Sequence, residues 1–359
     1  MLKATARLTL RGIRARSFRF FHARCHMQYS TSRFHRCAPV LALAGATIAL
    51  AFETNSADAA IVFAVGSSSG ELIRYDSNDP VGTRTVVTTT LSSPTALVAG
   101  PDGNLYIGQS GNGGSIAPSI VRYEIASNTF QTVHTFGSAF DAPGGLAFQG
   151  SSLLVGRNPA IGAMGSIRQL TNALGGAVSV ADYSNGGTLA SSPAIAVLSS
   201  GEFIVSDQFW NIPSGVRIGS VKRFDAAGNY ISTLVEDGTS GLFGPAGLAT
   251  DGTWLFIASC MTGDILRTNL ATGITTTFAS TNEIFGAQAL ALLADGSLLV
   301  GSENNGRIRH FDANGTLLSI FETGLYNTAA GIAVFDSVVP APSALTLIAL
   351  GFGVRRRRR

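Results

Sequence analysis

The chain has 359 residues and a formal net charge of +3, but its charges are unevenly distributed. Nine Arg and Lys lie in residues 1–60 and five Arg end the chain, whereas residues 61–336 hold 11 Arg and Lys against 20 Asp and Glu. A central region with a charge of about −9 disfavours nucleic acid as a partner, because nucleic-acid-binding surfaces are basic. Cys260 is the only cysteine in that region, so no disulfide can form within it.

Residues 1–60 have the features of an export signal. Basic residues precede an uncharged apolar run, and the segment ends in a small-x-small pattern at Ala57 and Ala59. Signal peptidase requires such a pattern, so we predict cleavage after Ala59. Met27 gives a leader of more ordinary length, which would make residues 1–26 a mis-assigned extension. An Arg-rich transit peptide of the mitochondrial type is the alternative.

One predicted strand recurs six times between residues 61 and 336. Each copy carries an Arg at the same place, and these Arg residues lie 42 to 55 positions apart. They are Arg74, Arg122, Arg168, Arg223, Arg267 and Arg309. Repeats of this length are typical of propellers and solenoids. We expect the six side chains to be architectural, with their stems packed across the repeat.

Three further segments recur in phase with this strand. A short apolar segment such as Gly247–Thr250 comes first, and a turn such as Asp251-Gly252 follows it. Gly after Asp is typical of a tight hairpin between two strands. The next strand is apolar on both faces, which favours burial between packed sheets. The last strand, as in Ile274–Ala279, is rich in Thr and alternates, which suits an outer strand with one wet face.

Together these segments predict an all-β protein: a six-bladed β-propeller with four-stranded antiparallel blades over residues 61–336. The ends of this region are complementary. Gly331–Phe335 is a first strand with nothing after it, whereas Ile61 begins a second strand with nothing before it. We therefore predict that pairing of the N- and C-terminal strands closes the ring. An open β-solenoid is the alternative, but it needs no complementary half-repeats at its ends.

The repeat pattern resembles the NHL-repeat family and the related six-bladed propellers. Pro245–Gly252 and Gly306–Asp312 carry the resemblance most clearly, and it extends over residues 61–336. The resemblance implies the fold much more than the activity, because such propellers include lyases, lactonases and pure binding modules.

No motif in residues 61–336 identifies a reaction: there is no nucleophile elbow, P-loop or HExxH pattern, and only His134 and His310 supply imidazoles. The connections between second and third strands are more informative, because three long ones occur in consecutive repeats. Insertions confined to one face are typical of a binding surface. The candidate polar ligand-binding residues of this face are Asn158, Asp207, Gln208, Glu303 and Asn304.

Aromatic residues give a second indication of a binding surface. Phe209 and Trp210 lie in the longest connection, residues 206–219, which we interpret as a loop. Few other apolar residues in it can bury two rings, so we predict that Trp210 is partly exposed and contacts a ligand or partner. Three other aromatic residues of this face are expected to pack between blades: Phe140, Phe243 and Phe285.

A metal-dependent enzyme is the alternative function. Six-bladed sugar lactonases coordinate a divalent cation at the axial mouth through carboxylate and amide oxygens. The resemblance implies that Asn158, Asp207 and Glu303 are the equivalent candidates here, since Ca²⁺ and similar hard cations take oxygen ligands. Polar side chains also cap exposed strand ends in general, so the residues themselves assign no cofactor.

Residues 337–359 resemble the PEP-CTERM sorting signal of exported bacterial proteins. The resemblance rests on a Pro-x-Pro motif, an uncharged apolar stretch and a terminal Arg cluster, with Ala341 where the family usually has Glu. The motif residues are Pro340, Pro342, Arg355, Arg356 and Arg357. The resemblance implies processing by an exosortase-type enzyme and transient membrane anchoring in a Gram-negative bacterium. A plain C-terminal membrane anchor is the alternative.

The sequence thus leaves functions from different classes open. The first is an exported, non-enzymatic binding module of the cell envelope or extracellular matrix. Its processing partners would be signal peptidase and an exosortase, and its ligand a polysaccharide or an envelope protein. The second is a lactonase- or lyase-like enzyme with a divalent metal at the axial mouth. A structural surface protein without a small ligand is the third.

Overall fold

The computed structural model describes residues 59–138, 141–158, 164–184, 186, 188–211, 213, 215–325 and 329–335. These residues form six four-stranded antiparallel sheets. The sheets follow one another around a ring as the blades of a β-propeller, so the predicted fold class is confirmed. The predicted export leader before residue 59 and the predicted sorting segment after residue 335 lie outside the described residues.

The strands are assigned to the blades in chain order. Blade 1 begins with β1 (Ile61–Gly66), β2 (Glu71–Asp76) and β3 (Thr85–Thr88). Blade 2 contains β4 (Pro94–Ala99), β5 (Leu105–Gln109), β6 (Ser119–Glu124) and β7 (Thr129–Thr135). Blade 3 contains β8 (Ala142–Gln149), β9 (Ser152–Asn158), β10 (Ile167–Thr171) and β11 (Ser179–Asp182).

The second half of the ring follows the same plan. Blade 4 contains β12 (Ala194–Val197), β13 (Phe203–Asn211), β14 (Val216–Phe224) and β15 (Tyr230–Val235). Blade 5 contains β16 (Pro245–Thr250), β17 (Trp254–Ser259), β18 (Asp264–Asn269) and β19 (Thr275–Ser280). Blade 6 contains β20 (Ala289–Leu292), β21 (Leu298–Gly301), β22 (Arg307–Phe311) and β23 (Leu317–Glu322). The last strand is β24 (Ala329–Phe335).

Strand β24 closes the ring. The strand order of blade 1 is β24-β1-β2-β3, so β24 takes the innermost position that the first strand holds in every other blade. Its register with β1 places Ile61 opposite Phe335 and Val65 opposite Gly331. The predicted pairing of the two chain ends is therefore confirmed.

Apolar clusters between neighbouring blades form the core. One of them joins blade 6 to blade 1 through Phe321 and Tyr75, whose ring centroids lie 4.8 Å apart. Another joins blade 3 to blade 4 and includes the stacked rings of Phe203 and Phe224. The innermost strands carry small residues because they approach each other closely: a Cβ built on Gly145 would lie 2.6 Å from the Cα of Ala194.

The repeated Arg residues occupy equivalent positions but make different contacts. The Cζ of Arg267 lies 4.8 Å from the ring centroid of Trp254 and 5.6 Å from that of Phe278, a cation–π arrangement within blade 5. Arg309 is buried and pairs with Glu283 at 2.7 Å. Arg74, by contrast, is exposed. The expected packing across the blade thus holds for Arg267 and Arg309 but not for Arg74.

The ring has two unlike faces. We call the side on which the innermost strands begin the mouth face, and the side on which they end the turn face. The connections between second and third strands lie on the mouth face, since Pro245 at the start of β16 pairs with Ser259 at the end of β17. Within the described ranges, no helix has the length and apolar character needed to span a bilayer.

Candidate functional site: the mouth face and its extended hairpin

Blade 4 carries a hairpin that extends past its neighbours on the mouth face. The pairing of β13 with β14 continues without a register shift from Phe203 opposite Phe224 to Asn211 opposite Val216. Residues 206–211 and 216–219 are thus hydrogen-bonded strand, and the interpretation of residues 206–219 as a loop is wrong. Between the two strands, the described residues Pro213 and Gly215 lie in a turn.

Strand alternation gives the hairpin two faces. Asp207 and Phe209 point to one side and Gln208 and Trp210 to the other, because successive side chains of a strand alternate. Phe209 is 44% exposed and Trp210 is 46% exposed. The predicted partial exposure of Trp210 is confirmed, and its contact with a ligand stays a prediction.

Asp207 fixes the base of the hairpin. Its Oδ1 accepts hydrogen bonds from the backbone N–H groups of Ala190 at 2.6 Å and Ser191 at 3.3 Å. Its Oδ2 accepts a bond of 2.6 Å from Nζ of Lys222, and the residue is only 6% exposed. Both carboxylate oxygens therefore accept hydrogen bonds from protein donors. Asp207 in this way links β13 to the connection that leads into blade 4.

Arg217 links the hairpin to blade 6. Its Nη1 and Nη2 donate to the two carboxylate oxygens of Glu303 at 2.5 and 2.6 Å, a bidentate pair that spans 86 residues of sequence. Its Cζ lies 5.1 Å from the ring centroid of Phe285. Burial alone would lower the pKa of Arg217, but Glu303 raises it above its ordinary value, so the guanidinium stays charged.

Cys260 lies beneath this ion pair. It is fully buried, with Sγ 3.8 Å from Nη1 of Arg217 and 3.5 Å from Nε2 of Gln208. Burial raises the pKa of the Cys260 thiol, and the neighbouring guanidinium of Arg217 opposes that rise. The same Gln208 amide donates to the carbonyl of Pro245 at 3.1 Å, so Gln208 connects blade 4 to blade 5.

The two candidate asparagines also hold connections in place. Oδ1 of Asn158 accepts a hydrogen bond of 2.5 Å from the hydroxyl of Ser191, which joins blade 3 to the entry of blade 4. Nδ2 of Asn304 donates to the carbonyl of Ile284 at 2.7 Å. Both residues lie on the mouth face as predicted, but each is engaged with its own or a neighbouring blade.

The arrangement does not favour a divalent cation at the predicted residues. Asp207 is bound by Lys222 and Glu303 by Arg217, so the negative charge that a cation would need is already neutralised. Among the described residues, no group of three or more His, Cys, Asp and Glu side chains could hold a metal ion.

The two histidines of the described region are parts of the blades. His134 packs edge-on against Phe136 with ring centroids 4.7 Å apart. His310 lies with Nε2 2.8 Å from Oγ of Ser297, which is buried and donates in turn to Oδ1 of Asp295 at 2.6 Å. Because the carboxylate contacts the hydroxyl and not the imidazole, this chain of contacts is not a catalytic triad.

The aromatic expectations were partly correct. Phe285 is half-buried and packs against the cluster between blades 5 and 6. Phe243 is 40% exposed, so its predicted packing between blades is wrong. Its backbone N–H donates to Oγ of Ser259, and this bond fixes the main chain while the ring remains accessible. Phe140 lies outside the described residues.

No family model and no curated protein matches the chain. A solved structure described as "Crystal structure of Nidogen/Laminin Complex" is similar in fold, with a TM-score of 0.61 and 14% sequence identity. The similarity covers 77% of this chain and 98% of that one. What the two share is the fold. At this level of identity the likeness extends to the six-bladed propeller and carries no function.

Two residues that organise the mouth face escaped the sequence analysis. Arg217 and Lys222 provide the cations for Glu303 and Asp207, and neither stands out by motif or spacing. The available signal was the charge pattern around the longest insertion: Arg217 lies within residues 206–219, and Lys222, three residues beyond them, is the only Lys of an otherwise acidic region. Their partners depend on how neighbouring blades face each other, which spacing alone does not give.

Proposed function

We propose that the protein is an exported binding module of the bacterial cell envelope or extracellular matrix, with the mouth face as its contact surface. The observation that carries the proposal is the exposure of Phe209 and Trp210 on a hydrogen-bonded hairpin. Exposed aromatic rings provide large contact area at low entropic cost, and Trp often contributes a disproportionate share of binding energy.

The rigidity of the hairpin supports this role. Lys222 and Asp207 fix its base, and Arg217 ties it to Glu303 in blade 6. A surface that is held in one conformation before binding loses less conformational entropy when a partner docks. The side chains of Phe209 and Trp210 are therefore held in a fixed position on the propeller and do not lie on a mobile loop.

The position of the chain ends is consistent with the proposal. Ile61 and Phe335 lie opposite each other on the turn face, whereas the hairpin extends from the mouth face. A chain attached to a membrane through its predicted C-terminal segment would therefore direct Phe209 and Trp210 away from that membrane.

The export part of the proposal rests on the sequence. The small-x-small pattern at Ala57 and Ala59, the Pro-x-Pro motif and the terminal Arg cluster support cleavage by signal peptidase and processing by an exosortase-type enzyme. The similar solved structure is a complex of nidogen with laminin, and we extend to this chain only the general role of an interaction module.

An attachment assay tests the proposed surface. We expect replacement of Phe209 and Trp210 by Ala to weaken binding to extracellular polysaccharide from a Gram-negative biofilm about tenfold or more, since a hot-spot residue contributes about 2 kcal/mol. The free energy of unfolding should change by less than about 1 kcal/mol, as for other surface substitutions.

The matched control is Ile274→Ala, which removes a 63% exposed apolar side chain at the edge of blade 5 beside the turn face. This variant should bind polysaccharide like the unmodified chain. Equal binding of polysaccharide by all three proteins, with binding to envelope proteins also unchanged, would remove the hairpin from the proposal. If replacement of Phe209 and Trp210 abolished binding to an envelope protein and left polysaccharide binding unchanged, the partner would be a protein.

A further inference from the structure

The outer strand of blade 6 combines a free edge with an apolar surface. Strand β23 pairs only with β22 among the described strands, so one row of its backbone N–H and C=O groups is unpaired within the ring. Leu317, Leu318 and Ile320 are 45%, 57% and 48% exposed. An exposed apolar edge strand is a template for pairing with another strand.

The outer strands of the other blades lack this combination. Strands β3 and β11 have only four residues each, and β7 and β19 are rich in Thr or other polar side chains. Strand β15 contains the exposed Ile231, but its pairing with β14 has two register shifts, which twist an edge. Strand β23 has one register shift with β22, at Leu318, and keeps four consecutive pairs in register beyond it, from Arg307 opposite Glu322 to His310 opposite Ser319.

We propose that β23 pairs antiparallel with β23 of a second copy of this chain, about a two-fold axis at Ser319. In this register Leu318 lies opposite Ile320 of the second copy and Ile320 opposite its Leu318. An isologous contact of this kind closes with two copies and does not propagate. The apolar pairs would cover two of the three exposed side chains on each strand.

The charges agree with this register. Glu322, which accepts a hydrogen bond of 2.6 Å from Nε of Arg307, lies opposite Thr316 of the second copy, so no like charges meet. Blade 1 extends the contact surface beside the strand. Nε of Arg84 donates to the carbonyl of Thr323 at 2.6 Å, and the neighbouring Val86 is 44% exposed. Apolar area on both sides of the blade boundary is thus available to the second copy.

Disulfide trapping tests the register directly. We would replace Ser319 by Cys in the full chain, purified in mild detergent, after changing the leader residues Cys25 and Cys37 to Ser. Cys260 is buried and can remain. Residues that face each other across an antiparallel pair have Cα atoms about 4.5 to 5.5 Å apart, within the range of a disulfide. Thr276→Cys on the outer strand β19 is the matched control, because Thr276 is exposed like Ser319.

We expect Ser319→Cys to form a covalent dimer about tenfold faster than Thr276→Cys, because pre-association raises the effective concentration of the two thiols. Sedimentation equilibrium provides the second measurement. The unmodified chain should be a dimer, Ile320→Lys should raise its dissociation constant about tenfold or more, and Ile231→Lys should leave it unchanged. A monomeric unmodified chain, equal trapping by both cysteine variants, or a dimer that persists in Ile320→Lys would overturn the proposal.

Discussion

The turn face is built from hydrogen bonds that recur between blades, whereas the mouth face also carries ion pairs that occur in one place only. On the turn face the same hydrogen bond recurs: the N–H of Gly103 donates to Gly100, that of Gly201 to Leu198 and that of Gly296 to Leu293, at 2.9 to 3.0 Å. On the mouth face, Asp207 pairs with Lys222 and Glu303 with Arg217, and no other blade has these contacts among the described residues. Repeated contacts build the ring, and the unrepeated ones mark the surface that we assign to binding.

The largest expected effect concerns the closure of the ring. Truncation at residue 328 removes β24, which is the innermost strand of blade 1 and covers Val62 and Ala64. Because the apolar clusters on both sides of blade 1 would open, we expect loss of the whole cooperative unfolding transition in calorimetry. A truncated chain that still melts cooperatively near the temperature of the intact one would show that the ring does not need this strand.

Two glycines with positive φ, Gly306 on the mouth face and Gly103 on the turn face, should respond differently to substitution by Ala. A Cβ on Gly306 would lie 1.9 Å from the carbonyl oxygen of Leu325, whereas a Cβ on Gly103 would meet no atom within 4 Å. Both positions carry the cost of left-handed backbone, about 1 to 2 kcal/mol. We expect Gly306→Ala to destabilise by about 3 kcal/mol or more and Gly103→Ala by the backbone cost alone.

Chemical denaturation of both variants measures this difference. Equal losses of unfolding free energy in the two variants would mean that the main chain at Leu325 accommodates the added methyl group without a free-energy cost. The close packing of Gly306 against Leu325 would then have to be revised.

The sequence predicted the fold far better than the mouth face. The six repeats and the complementary half-repeats at Ile61 and Gly331 were sufficient for the number of blades and the closure, because each repeat satisfies its own hydrogen bonds. The extended hairpin was misread, since the Pro and Gly of residues 212–215 are typical of a loop while the pairing on either side has no sequence signature. The contact of Arg217 with Glu303 depends on the geometry of three blades, which local pattern does not encode.

A smaller effect is expected from the ion pair between blades 4 and 6. Replacement of Arg217 by Ala leaves the half-buried Glu303 without its donors, and hydrogen bonds to charged groups contribute about 1.5 to 3 kcal/mol. Arg307→Ala removes the more exposed pair with Glu322 and should cost less than about 1 kcal/mol. Thermal unfolding of both variants shows which substitution lowers stability more. A larger loss of stability for Arg307→Ala than for Arg217→Ala would contradict the expected order.

The smallest effect is a pH dependence from His310. Burial lowers the pKa of His310, although Asp295 opposes the shift, so the folded pKa lies below the unfolded value of about 6.5. Above that value both states are neutral; as the pH falls through it, the unfolded chain binds the proton first and stability is lost. The unfolding free energy of His310→Gln should therefore fall less between pH 7 and pH 5, and identical profiles would contradict the assignment.

The role of the mouth face is tested most directly by the fluorescence of Trp210. The chain has two Trp residues, and Trp254→Phe leaves Trp210 as the only one. In this variant, extracellular polysaccharide should shift the emission of Trp210 to shorter wavelength and reduce its quenching by acrylamide, because the ring becomes shielded from water. Unchanged emission and quenching, while the same sample sediments with the polysaccharide, would contradict the account and place the contact surface elsewhere on the ring.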